Sequence, residues 1–244
     1  MLPLQVLAPM ALDGPAAIVS MLNPTGGLVG GDRLDITVDV GEHAHACLVT
    51  PSATKVYRTT GDPAEQHVHL DVGAGALCEW IPDHTIPFPG SALRQALVAE
   101  LATDAALIVV DAFAAGRVAR GETWEFSQLE STVSIRDDVG WLFHDRFALR
   151  GRRQHAELGV TEGQAYFGTV VVIGAGDVAE FIRAVTAVTD QGDANVAAAA
   201  LPRRGAAVRV LAGQASGFLT ALDHVWTLAR RLVLDAPALS LRKS

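Results

Sequence analysis

The chain has 244 residues, half of them hydrophobic and only 6% aromatic, and its 19 basic and 27 acidic residues leave a formal charge of −8. That charge excludes the basic face a nucleic-acid binder needs, and no run reaches the roughly 18 apolar residues of a membrane-spanning helix. The N-terminus carries no basic segment followed by an apolar one, and Cys47 and Cys78 form no CxxC pair, so the expectation is a cytoplasmic protein with reduced thiols.

In chain order the first unusual element is Asn23-Pro-Thr-Gly-Gly-Leu-Val-Gly-Gly-Asp32. Its glycines permit positive φ and close backbone approach. No Lys-Ser/Thr follows and no helix is predicted to start there, so a tight structural turn is expected rather than a phosphate cradle. Ile36–Val40 and Val68–Val72 alternate apolar and polar residues with period two, and Val133–Arg136 and Trp141–Phe147 read as further strands. Turn residues between such runs predict a β domain of many short strands. The unit Ile36-x-Val38-Asp39-Val40-Gly41-x-x-Ala44 returns about 32 residues later as Val68-x-Leu70-Asp71-Val72-Gly73-x-x-Ala76, and Leu101–Asp111 resembles a third copy. Repeated strand–turn–strand units can stack so that each buries its neighbour's face.

The last third changes character. Val178, Phe181, Ile182 and Val185 form a helical face behind Asp177, an N-cap-type residue, predicting a helix over Asp177–Val188. Phe218, Leu222, Val225, Trp226 and Ala229 do the same over Ser216–Leu234, where core packing is the expected use of Trp226. Asp190–Gly205 reads as a connector. One unit is expected, with residues 1–175 a β-stack and 176–244 a helical tail with a connecting strand.

His43, His45 and Cys47 alternate, which places them on one face of a strand, and His67 and His69 do likewise. Imidazole and thiolate suit nickel or zinc, but neither set supplies the four ligands of a closed site. Ser52, Ser91 and Ser216 lack a nucleophile elbow, and no spacing pairs Asp111, Glu122, Glu125 or Asp145 as acid and base. The residues alone therefore mark no catalytic set. A small hydrolase on a β-scaffold and a stand-alone metal-binding protein are the rival readings.

Four segments in order resemble one family: Asn23–Asp32 its NPxGGxxxGD element, Thr50–Arg58 its TxxATKxYR element, Glu79–Phe88 its ExxPDxxIPF element, and Gly116–Glu122 its GRxxxGE element. That family is the urease accessory proteins UreD/UreH. The resemblance implies a mainly β fold, a solenoid-like helical stack of short strands with two α-helices in the C-terminal third. It implies a scaffold that is not an enzyme and that binds urease apoprotein, UreF and, through UreF, the nickel carrier and GTPase UreG. It also implies no tightly bound cofactor, nickel only in transit, and an internal route for that nickel. On this reading Asp32, Asp83, Glu122 and Asp145 offer carboxylates, Thr50 and Ser52 weaker oxygens, and Lys55, Arg117 and Arg146 counter-charges. The alternative is that pairs of the Asp32–Arg117 type simply hold turns. Members usually start with an additional strand carrying Thr-Arg and Gly-Pro-Leu elements, of which Met1-Leu-Pro-Leu-Gln-Val matches only the end.

Overall fold

The period-two segments wind into stacked coils. The computed structural model describes residues 4–11, 16–151, 161–189 and 193–239. Two short strands, β1 (Gln5–Val6) and β2 (Met10–Ala11), lie antiparallel against β3 (Ala16–Leu22), which with β4 (Arg33–Val40) makes the first coil. The second coil is β5 (His45–Val49), β6 (Thr54–Val56) and β7 (Ala64–Val72), and the third is β8 (Leu77–Ile81), β9 (Thr85–Pro87) and β10 (Ala92–Leu101). The fourth runs through β11 (Ala106–Ala114), β12 (Gly116–Arg117), β13 (Glu122–Thr123) and β14 (Gln128–Asp137).

Equivalent strands of successive coils pair in parallel: β3–β5–β8–β11 on one side, β4–β7–β10–β14 on a second, β6–β9 on the third. Each coil therefore sits about 4.8 Å above the last. The sequence repeat is the coil period, because Ile36 pairs with Val68, Asp39 with Asp71, and Val72 with Leu101. The corners stack as well: the Leu77 N–H donates to the Ala44 carbonyl and the Ala106 N–H to the Ala76 carbonyl.

The glycine-rich segment is the first coil's third side. Leu28 bridges to Val56 of β6, and a side chain at Gly27 would run into the Lys55 carbonyl and the Tyr57 ring. The expected structural turn is what the chain builds, and its glycines let the next coil close on it.

After β14 the stack is capped antiparallel. β15 (Gly140–Leu149) returns along β14, and β16 (Tyr166–Ile173) runs against β11. Then follow α1 (Val178–Thr189), β17 (Ala194–Ala200), β18 (Gly205–Ala212) and α2 (Ala215–Leu232). Both helices arise where the apolar spacing predicts them, and the Asp177 carboxylate accepts the Glu180 N–H at 2.8 Å as an N-cap. The tail forms two strands, β17 and β18, rather than the single connecting strand expected, and they extend the β11–β16 sheet. The helices cover the outer face of that sheet, where Phe181, Phe218, Val225 and Trp226 pack on Ile108, Val110 and Val170. Two further apolar clusters fill the solenoid itself.

Candidate functional site

A polar stripe runs between the two interior clusters. Its existence follows from register: Gln66, Gln95 and Ser131 are direct neighbours across β7, β10 and β14, so their side chains line one inner wall. On the facing sheet Asp111, Thr169 and Arg209 are neighbours across β11, β16 and β18. Leu70, Leu107 and Ile135 close one side of the stripe and Leu93, Phe113 and Leu129 the other.

The stripe is hydrogen-bonded across the interior. Gln95 Nε2 donates to Asp111 Oδ1 at 2.6 Å, and Ser131 Oγ donates to Asp111 Oδ2 at 2.8 Å. Polar groups placed in a core are costly without such partners. Burial pushes the Asp111 carboxyl up to about 6, against the Ser131 and Gln95 hydrogen bonds and the Arg209 charge, with the Asp145 charge adding to the rise. Asp145 on β15 meets Arg209 on β18 at 2.8 Å, and Arg209 also donates to the Thr169 hydroxyl.

Three cavities adjoin along the stripe. The first, of about 100 Å³, is walled by the glycine-rich segment, Thr50–Lys55 and Trp80. The second, of about 30 Å³, shares Thr54, Gln66, Trp80 and Pro82 with the first and adds Asp83, Gln95 and Asp111. The third, of about 510 Å³, shares Asp111 with the second and is bounded by Asp145, Thr169, Arg209, Phe113, Phe147 and Phe167.

The structure gathers some of the residues singled out from sequence and separates others. Thr50, Ser52 and Lys55 line the first cavity, Asp83 the second and Asp145 the third. Thr50 Oγ1 also accepts the Asp83 N–H at 2.8 Å, and the Asp83 carboxylate meets His84 Nδ1 at 2.8 Å. Asp32 borders none of the three, and its Oδ2 accepts the Val29 N–H at 2.9 Å, closing the glycine turn. Arg117 pairs not with Asp32 but with Glu122, at 2.5 Å on the β12–β13 hairpin, and lies over the Phe88 ring. Arg146 points outward, towards Glu130 at 3.9 Å.

The trio of His43, His45 and Cys47 does not share a strand face. His43 sits in the corner before β5 at φ 58°, so period-two alternation does not reach it. His45 Nε2 is 2.6 Å from Glu79, and the Cys47 side chain is fully buried. Among the described residues no three His, Cys, Asp or Glu side chains are grouped to hold a metal ion. Sequence reasoning passed over Gln95, Ser131 and Arg209, and weighed Asp111 only as a catalytic acid or base. One signal was available: Asp111 is a lone carboxylate inside the otherwise apolar run Ala105–Ala115.

Fold and interior together define a β-solenoid protein, helix-covered on one face, with a hydrogen-bonded polar stripe along its axis. A family model described as UreD urease accessory protein matches residues 1–244. The urease accessory protein UreD of Haloarcula marismortui is 38% identical over 93% of this chain and 77% of its own length. That of Anaeromyxobacter sp. is 38% identical over 83% and 69%, and that of Cupriavidus metallidurans 31% over 98% and 85%. The chain belongs to the UreD urease accessory protein family, which gives it a role in urease maturation. No described helix is long and apolar enough to cross a membrane.

Proposed function

We propose that this chain is a non-catalytic cytoplasmic scaffold that binds urease apoprotein and UreF, and UreG through UreF, and that its polar stripe is an internal route for nickel to the urease active site. The observation that supports the route is the run of three adjoining cavities along a stripe of amide, hydroxyl and sparse carboxylate oxygens. A path must be easy to leave as well as to enter. Neutral oxygens bind nickel weakly, and Asp111 and Asp145 add attraction that Arg209 partly offsets. A core that tolerates the desolvation of these groups is better explained by traffic through it than by stability, since apolar residues in the same places would pack at lower cost.

The test is maturation of urease with Thr54→Trp, which fills the junction of the first two cavities, and separately with Asp111→Ala. Nickel per urease active site should fall in both, while co-purification with UreF and urease persists. Full nickel loading by both variants would exclude the route and leave the scaffold role alone. Loss of co-purification with loading intact in the surviving complex would exclude it equally.

A further inference from the structure

The largest cavity is lined by charges of both signs in unequal number. Asp111, Asp145 and Glu162 border it, and so does the guanidinium of Arg209. Arg209 stands at the outer end of a row that starts in the stripe: Asp111, Thr169 and Arg209 are direct neighbours across β11, β16 and β18. One guanidinium nitrogen meets Asp145 of β15 at 2.8 Å, and another donates to the Thr169 hydroxyl. Arg209 therefore occupies the two oxygen-bearing groups that follow Asp111 towards the rim. Its charge reaches Asp111 as well, where it favours the ionised carboxyl against the upward push of burial.

This pair is built to open. The Arg209 side chain is 51% exposed and that of Asp145 28%, and ion pairs with such access to water contribute little net stability. Asp137 shows the opposite arrangement. Its carboxylate is buried, takes both terminal nitrogens of Arg203 at 2.8 and 2.9 Å, and accepts the Val139 and Gly140 N–H groups. That pair clamps the β14–β15 turn, whereas Arg209 can leave Asp145 for water.

Charge decides what displaces it. A divalent cation in the cavity attracts Asp145 more strongly than a guanidinium does, because Coulomb energy scales with charge. The displaced Arg209 remains tethered beside the site. A tethered group competes at a high effective concentration, and its like charge weakens the hold of both carboxylates on the newcomer. Without it, the carboxylates of this cavity would retain a cation that a route must release.

We propose that Arg209 is a built-in competitor for the nickel in transit: it yields Asp145 and Thr169 to an arriving divalent cation and, by returning to them, sends that cation on. The inference rests on the proposed route and adds the residue that keeps it from becoming a trap.

The test is equilibrium dialysis of the full chain against nickel chloride. Arg209→Met removes the charge and keeps the stem, and should bind nickel at least ~10-fold more tightly than wild type. Arg209→Gln should do the same, and Arg209→Lys, which keeps the charge, should stay near wild type. Adding Asp145→Asn to Arg209→Met should abolish the gain. The position is exposed, so circular dichroism should not change, and a pair that merely held β15 to β18 would leave nickel affinity unmoved. During urease maturation, Arg209→Met should slow nickel transfer and Arg209→Lys should not. Wild-type affinity in both neutral variants, a gain that survives Asp145→Asn, or tighter binding with transfer at the wild-type rate would each overturn the proposal. Failure of the route itself reads differently. Thr54 borders the first two cavities and not the third, so Thr54→Trp reports on the route alone and dialysis on the competition alone.

Discussion

The Arg230 guanidinium of α2 donates to the Glu79 carboxylate of β8, and the two side chains are 3% and 0% exposed. This contact joins the helical tail to the solenoid, and it does not stand alone. Trp226 Nε1 donates to the other Glu79 oxygen at 2.7 Å, His45 Nε2 lies 2.6 Å from the first, and Arg230 Nε donates to the Pro237 carbonyl at 2.7 Å. Burial pushes the Glu79 carboxyl up, and the His45, Arg230 and Trp226 partners outweigh it, leaving the group below the ordinary glutamate range.

Removing one member of a sealed ion pair leaves the other charged and unsatisfied, which costs about 3–5 kcal/mol. Glu79→Ala should therefore destabilise the fold by that order, measured by urea unfolding, with Glu79→Gln less severe because Trp226 keeps an acceptor. A depressed carboxyl contributes stability above its unfolded value, about pH 4.3, and loses it as pH falls through the lower folded value. The wild-type chain should lose stability through that acid window more steeply than Glu79→Gln. Parallel pH curves for the two would show that the carboxylate's charge does not stabilise the tail.

Asp32 is expected to behave as a turn residue. Its Oδ2 accepts the Val29 N–H at 2.9 Å, and it borders none of the three cavities. Asparagine keeps an acceptor at that position, whereas glutamate moves it one methylene outward. Asp32→Asn should support near wild-type nickel loading of urease and Asp32→Glu less. A working glutamate variant beside a failing asparagine variant would show instead that Asp32 acts through its charge.

Gly27→Ala tests why the glycine-rich segment has its composition. A Cβ there would lie 2.8 Å from the Tyr57 ring and press on the Lys55 backbone of the next coil. Overpacking of this kind costs about 1–3 kcal/mol. At Gly31 the space is open and only a φ of +83° opposes a side chain, so Gly31→Asn, tolerant of left-handed backbone, should be nearly neutral. Thermal unfolding of the two variants decides. A Gly27→Ala chain as stable as wild type would mean that the coils do not close on this contact.

How far the sequence reveals this fold depends on the range of the interaction concerned. Coil geometry is local and periodic, so Ile36 and Val68 announce their pairing through spacing alone. Three of the four segments shared with the family meet on the third side of successive coils, through the Leu28–Val56 bridge and the β6–β9 pairing, and the fourth, Gly116–Glu122, belongs to the β12–β13 hairpin. β17 was hidden because Ala194–Ala200 is built mostly of alanine, a weak strand former whose extended state depends on pairing with β18. Asp145 meets Arg209 only after β15 and β18 have been placed by different sheets, which no spacing records. Asp111 is concealed for the opposite reason, since its strand is apolar enough to read as plain core.

Asp111 also yields the pH dependence that bears most directly on the proposed route. Its carboxyl is held up to about 6, chiefly by burial. A carboxyl raised above its unfolded value of about 3.9 gives a folded state that binds the extra proton, so stability falls as pH rises from that value through about 6. Asp111→Asn should therefore be stabilised relative to wild type at pH 8 and not at pH 4, read from urea midpoints. Nickel competes with the same proton, so wild-type loading of urease should decline as maturation is carried out below pH 6. With Asp111→Asn, loading should be low throughout and lack this inflection, so the ratio of the two profiles isolates Asp111 from other titrating partners. A constant ratio between pH 5 and pH 8, with the stability difference present, would show that Asp111 titrates as described but that nickel does not meet it.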